Sequence, residues 1–225
     1  MRAPISIVIP TLNAEGSLPR CLDALVEGLE AGLVRELIVS DGGSRDATGA
    51  TAQAWGAEVL HGPASRGGQL ARGCSAAKAE WLLIVHADTV LHPGWARAAR
   101  AHLAHPDHAG WFRLRFDQGG MAARVVAGWA NLRSRFGLPY GDQGLLISAA
   151  LYAQVGGYDD VPLMEDVALA RALKGKLRGL PIEAVTSADK YIRQGWVRRG
   201  ARNLWTLARY FAGVDAARLA DSYRR

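Results

Sequence analysis

The chain has 225 residues, 49% of them apolar and 21% charged, with a formal net charge of +6. That is enough to bury one large core, and neither the composition nor any repeat suggests a disordered or fibrous protein. Two cysteines cannot build a disulfide framework or a zinc site alone, and no apolar run approaches the roughly 20 residues that span a bilayer, so a reducing, cytoplasmic setting is expected.

Ile5 to Ile9 is a run of strand-forming residues closed by Pro10-Thr11-Leu12-Asn13, and Met1-Arg2-Ala3-Pro4 before it does not read as a leader peptide, so none is expected. Apolar positions at helical spacing from Ser17 to Leu33 predict an amphipathic helix with Ser17 as its cap and Pro19 in its first turn. Glu36 to Ser40 is a second strand, followed by the turn Asp41-Gly42-Gly43-Ser44. Asp46 can then cap a helix that runs to Trp55 and stops at Gly56. A short strand, Glu58 to Leu60, precedes the loop His61 to Gly68 and a helix of small residues to Lys78. Trp81 to Val85 is a fully apolar strand that ends abruptly in His86-Ala87-Asp88-Thr89, before Pro93 and Gly94 open a helical pattern. Strand alternating with helix over the first hundred residues predicts an α/β fold with a mostly parallel sheet.

The second half is less regular. Ala109 to Phe116 alternates apolar and basic residues like a half-exposed strand, and Met121 to Phe136 reads as a helix. Tyr140-Gly141-Asp142-Gln143-Gly144 leads into the apolar stretch Leu145 to Ile147. Gly156-Gly157-Tyr158 is a turn, and Leu163-Met164-Glu165-Asp166 begins a helix whose Val167, Leu169 and Leu173 form an apolar stripe. Trp196 to Phe211 is a basic amphipathic helix. From Lys190 to the end, nine Lys or Arg face only Asp215 and Asp221, which points to anionic partners: nucleotide phosphates, a membrane surface or nucleic acid. A solvated helix face explains the same charges. With no linker evident, one domain over 1–225 is expected, divided into a nucleotide-binding half (1–105), an acceptor-facing half (106–190) and a helical tail (191–225).

Several residues stand where chemistry is done, each with a structural explanation beside the functional one. Asp88 ends a buried strand, the edge of an α/β sheet at which ligands bind, and one strand-end carboxylate suffices to hold a divalent cation against phosphate oxygens. As a helix cap it is poorly spaced. His86, two positions earlier, faces the same way and is a ligand, a support or a packed histidine. Asp41 before Gly42-Gly43 suits the edge of a base or ribose, but Asp-Gly pairs form turns in any protein. Arg66 and Gly67 open a helix whose amide ends and guanidinium suit a phosphate, and a surface loop arginine would look alike. Glu165 and Asp166 at a helix start are favoured by its dipole and equally fit a general base aimed into a cleft. No Walker loop, Gly-x-Gly-x-x-Gly fingerprint or nucleophile elbow is present.

Taken in order, Ser6 to Asn13, Leu37 to Asp46, Arg66-Gly67, His86 to Thr89, Gly141-Asp142-Gln143 and Met164-Glu165-Asp166 resemble the family 2 glycosyltransferases of GT-A fold, most closely the small bacterial subgroup described as rSAM/selenodomain-associated transferase 2, or arsenosugar-type glycosyltransferases. The resemblance spans residues 5 to 175 and rests on the order of the motifs. It implies nucleotide-sugar contacts from Pro10, Thr11, Asn13, Asp41, Arg66, Gly67, Ala87 and Asp88. It further implies Mg²⁺ or Mn²⁺ at Asp88, a catalytic base at Asp166 supported by Glu165, and an acceptor side lined by Gly141, Asp142 and Gln143. One departure is plain: His86 stands where the family's Asp-x-Asp motif has its first acid. The Gln-x-x-Arg-Trp segment of processive polymerases is unmatched, so transfer of a single sugar is expected.

The reaction implied is inverting transfer of one sugar from a nucleotide-sugar donor, a UDP-sugar, to a hydroxyl acceptor, with no nucleic-acid partner. The terminal helix, 196–211, is expected either to rest on an anionic membrane or to pack on the core or over the cleft. Two other readings stand beside this one, a non-catalytic nucleotide-sugar binding protein and a sugar nucleotidyltransferase.

Overall fold

The computed structural model describes residues 2–224, with side chains to Ser222. β1 (Ile5–Thr11), α1 (Leu18–Glu30), β2 (Val34–Asp41), α2 (Thr48–Ala54), β3 (Glu58–His61), α3 (Arg66–Ala76) and β4 (Trp81–Ile84) alternate as the sequence pattern predicts. They are followed by β5 (Thr89–Leu91), α4 (Trp95–His102), β6 (Ala109–Phe116), α5 (Gly120–Arg135), a short 3-10 helix at Gly141–Gln143 and β7 (Leu145–Ser148). The chain continues through α6 (Ala149–Gln154), α7 (Glu165–Ala172), β8 (Leu177–Thr186), α8 (Asp189–Gln194), α9 (Trp196–Phe211) and α10 (Ala216–Arg224).

One eight-stranded sheet runs through both halves in the order β3-β2-β1-β4-β7-β6-β8-β5. β1, β2, β3 and β4 pair in parallel, whereas β7 runs antiparallel to both β4 and β6 and β5 runs antiparallel to β8. The sheet is therefore more mixed than the strand–helix alternation of the first hundred residues suggests. The reversal at β7 matters for the site. Parallel β1, β2 and β4 bring Thr11, Asp41 and the residues after Ile84 to one rim, and β7, with Leu145 opposite Ile84, places its amino end there too.

Each face of the sheet carries its own core. Ile5, Ile7 and Ile9 pack with Leu18, Leu22 and Trp95 on one side, and Val8, Leu82 and Ile84 with Leu70, Leu169 and Leu173 on the other. That is the outcome of strands whose apolar residues face both ways, each such side chain worth about 1.5–3 kcal/mol when buried. Cys21 belongs to the first core and Cys74 to the second, both as free thiols, and burial pushes each up to about 12.

Some boundaries differ from expectation. α1 ends at Glu30 and not Leu33, because Gly32 takes φ 65° and the amides of Gly32 and Leu33 turn back onto the carbonyls of Leu29 and Gly28. This drops Leu33 into the core. Ser17 occupies the cap position, but its hydroxyl makes no cap hydrogen bond to the helix. β8 escapes the sequence pattern because Pro181 and Gly179 interrupt it; the pairing of β6 with β8 shifts register between Trp111 and Arg113.

Candidate active site

The rim of the sheet opens into a cleft with two lobes. The first, about 560 Å³, is bounded by Pro10, Thr11, Asn13, Ala87 and Asp88 on one side and Asp189 and Arg193 on the other. The second, about 390 Å³, is lined by Asp142, Asp166, Tyr140, Gln194, Arg199 and Arg202 among others. Arg66, Asp88, Ser187 and Lys190 belong to both, so these four residues form the junction.

The first lobe is held rigid by hydrogen bonds between two loops. Asn13, in the left-handed region at φ 50°, accepts from the Arg45 amide through Oδ1 at 2.9 Å, while its own amide donates to Ser44 Oγ at 2.8 Å. The Ala14 amide donates to Thr48 Oγ1 at 2.7 Å, and the amides of Thr48 and Ala47 end on Asp46 and Glu15. Asp41 lies behind this wall. It is 2% exposed, and its carboxylate accepts from Thr11 Oγ1 (3.0 Å), from the Gly43 and Ser44 amides (2.9 and 2.8 Å) and from Ser44 Oγ (2.5 Å). Burial raises its pKa, but the donors of Ser44, Gly43 and Thr11 outweigh this and hold it below the ordinary carboxylate range. Four donors fill the lone pairs of a carboxylate, so Asp41 bears on the cleft through Thr11, which lines it.

At the junction, His86, Asp88 and Asp142 offer one imidazole nitrogen and two carboxylate oxygens, all within 4.8 Å of one another. His86 Nδ1 and Asp142 Oδ1 are 3.2 Å apart. The acid that the sequence lacks at position 86 is thus supplied in space from position 142. Burial raises the Asp142 carboxyl, yet the hydrogen bond and charge of His86, with Arg66 and Lys190, hold it well below its usual value. One nitrogen and two carboxylates fit Mn²⁺ well and Mg²⁺ acceptably, since imidazole suits softer divalent ions better. Lys190, which the sequence marked only as part of a basic tail, stands with Nζ 3.8 Å from Asp88 Oδ2.

The expected acidic pair divides its work by burial. Met164 takes φ 68°, a conformation that non-glycine residues rarely adopt, immediately before α7. Glu165, 1% exposed, turns inward to Arg66, whose Nε is 3.5 Å from Oε1. Asp166 lines the second lobe, with Oδ2 accepting from the Gly141 amide at 2.9 Å and Oδ1 from the Val167 amide at 2.7 Å. Gly141 tolerates no side chain here: a Cβ would lie 2.4 Å from the His86 ring.

Two of the expected ligand residues have other tasks. A Cβ on Gly67 would come within 2.0 Å of the Asp159 carbonyl oxygen, and its amide donates to the Val161 carbonyl, so Gly67 seats α3 against the 159–161 loop and does not line the cleft. Gln143 is fully buried. Its Oε1 accepts from Ser134 Oγ (2.6 Å) and the Tyr140 amide (3.2 Å), and its Nε2 donates to the Phe112 carbonyl (3.1 Å) and Asn131 Oδ1 (3.3 Å), which leaves nothing for an acceptor. The residues missed by sequence reasoning, Arg199, Arg202 and Gln194, come from the tail. The tail's local excess of positive charge signalled the two arginines, and Gln194 stood out only as a loose echo of the Gln-x-x-Arg-Trp segment.

A family model described as Glycosyl transferase family 2 matches residues 6–142, more than half of the chain. PGL/p-HBAD biosynthesis glycosyltransferases of Mycobacterium tuberculosis and Mycobacterium bovis are 35% identical over 100 residues, covering 41% of this chain and 38% of theirs. The matched region therefore spans well under half the length of those relatives. Among solved structures, S. aureus TarS (residues 1–349) superposes with a TM-score of 0.63 at 15% identity, covering 96% of this chain and 68% of that one. Glucosyl-3-phosphoglycerate synthase from Mycobacterium tuberculosis, solved with Mn²⁺ and UDP-glucose, gives a TM-score of 0.57 at 22% identity over 82% of this chain and 69% of that one. At these identities the likeness is one of fold.

Proposed function

The chain belongs to glycosyl transferase family 2 and has the GT-A fold, and from that premise we propose that it transfers one sugar from a UDP-sugar to a hydroxyl acceptor with inversion at the anomeric carbon. The observation that carries this reading is the shared cavity: Asp88, Arg66 and Asp166, far apart in sequence, line one 390 Å³ space. Pro10, Thr11, Asn13 and Ala87 form the lobe for the nucleoside, with Asp41 as a positioning residue behind Thr11. The acceptor enters the second lobe. Asp166 takes the proton of its hydroxyl as that oxygen bonds to the anomeric carbon, and the bond to the diphosphate oxygen breaks on the opposite face. Arg66 and Lys190 stand at the junction to take up the charge that develops on the departing diphosphate. A divalent cation held by His86, Asp88 and Asp142 would supply Lewis-acid stabilisation there. Glu165 is a positioning residue that fixes Arg66. Placement in the small rSAM/selenodomain-associated subgroup rests on the order of the motifs.

Asp166→Asn tests the base. The variant is expected to keep the rise in melting temperature caused by UDP, while UDP release in the presence of acceptor falls by about 10²–10⁴. Near-normal turnover in that variant would assign the base elsewhere.

A further inference from the structure

Two helices leave apolar faces in solvent. On α5, Met121, Val125, Trp129 and Leu132, with Phe136 just past its end, are all exposed, at intervals of three or four residues, so they share one face. On α9, Val197, Leu204 and Phe211, two turns apart from one to the next, are exposed together with Trp205, while Leu207 and Tyr210 pack with Leu219 of α10. Surface patches of this extent mark contact sites. Between the helices runs a groove of about 440 Å³ walled by Val125, Trp129, Val197 and Leu204. Its inner end shares Phe116, Tyr140, Asp142, Tyr191 and Asn203 with the cavity that holds Asp166. The groove therefore leads from the surface into the acceptor lobe.

Charge selects the occupant. Residues 117–142 and 189–215, which contain both helices, carry nine Lys or Arg against four Asp, of which Asp142 lies at the inner end of the groove. An apolar stripe with indoles, flanked by an excess of cations, matches an anionic lipid surface. A second copy of this chain would bring the same positive charge to the contact and be repelled. We propose that α5 and α9 dock on an anionic membrane surface and that the groove between them takes the hydrocarbon chain of the acceptor, so that the hydroxyl receiving the sugar belongs to a lipid. The acceptor part rests on the sugar-transfer reading above; the docking part does not.

The test uses the full chain and the variant Trp129→Asp/Leu204→Asp, both positions being exposed and outside the catalytic cleft. The wild type should sediment with vesicles of phosphatidylcholine and phosphatidylglycerol, less so as salt is raised, and not with phosphatidylcholine alone. Dodecyl maltoside below its micellar concentration should bind where maltose does not. Both affinities should fall about tenfold or more in the double variant, with the melting shift caused by UDP unchanged. Equal sedimentation with both vesicle types, or dodecyl maltoside binding untouched by the double substitution, would overturn the proposal. So would a wild-type dimer that the double variant dissolves, which would give this face to a second copy. Loss of the UDP shift in the wild type would instead count against the sugar-transfer reading, leaving the docking result to be judged by itself.

Discussion

Glu165 shows how one buried carboxyl shapes the site from behind its lining, through Arg66. Burial foremost, and then the charge of Asp166, raises its pKa to about 7 against the opposing pull of Arg66. A carboxyl whose folded value lies above its unfolded one favours folding fully below the ordinary carboxylate range, and that contribution is lost as pH rises through about 7. Glu165→Gln removes the titration and keeps the shape. Melting temperatures measured on either side of pH 7 should therefore show the wild type losing stability, relative to the variant, as pH increases; parallel profiles would relieve Glu165 of this role. The variant should also loosen Arg66, whose Nε lies 3.5 Å from the carboxylate.

At the scale of elements, the site depends on where chain ends meet. α3 delivers Arg66 to the junction only because its first turn lies hard against the 159–161 loop, where a Cβ on Gly67 would sit 2.0 Å from the Asp159 carbonyl oxygen and 2.8 Å from backbone atoms of Val161. Backbone cannot step aside as a side chain can. Gly67→Ala is expected to destabilise the fold by about 1–3 kcal/mol, as overpacking does, and to weaken UDP binding by displacing Arg66. Denaturant unfolding and a UDP titration would check this; a variant of wild-type stability would mean that the loop yields freely. The same reasoning explains Gly141, which lets the 3-10 helix approach His86 while its amide holds Asp166.

For the whole molecule, the lobe proposed for the nucleotide and the His86–Asp88–Asp142 group meet at Asp88, so nucleotide and cation should stabilise the folded chain together. A ligand that binds only the folded state, present at about a hundred times its Kd, adds roughly 2.7 kcal/mol. UDP with Mn²⁺ is expected to raise the melting temperature more than either alone, and Asp88→Ala should abolish the excess; a UDP shift indifferent to Mn²⁺ in the wild type would remove the cation from the site. Among the described residues no helix is long and apolar enough to cross a membrane. The parallel strands, their helices and the motifs at their carboxyl ends were legible in the sequence because apolar period and turn residues are local properties of the chain. β8 was not, because Pro181 breaks its pattern, and neither was the pairing of His86 with Asp142, 56 residues apart, which exists only because β7 reverses the sheet beside β4. Side chains that the sequence presented alike parted company in space. Asp166 lines the cleft while Glu165 and Gln143 turn inward, since which face of a short segment is buried depends on what the rest of the chain packs against it.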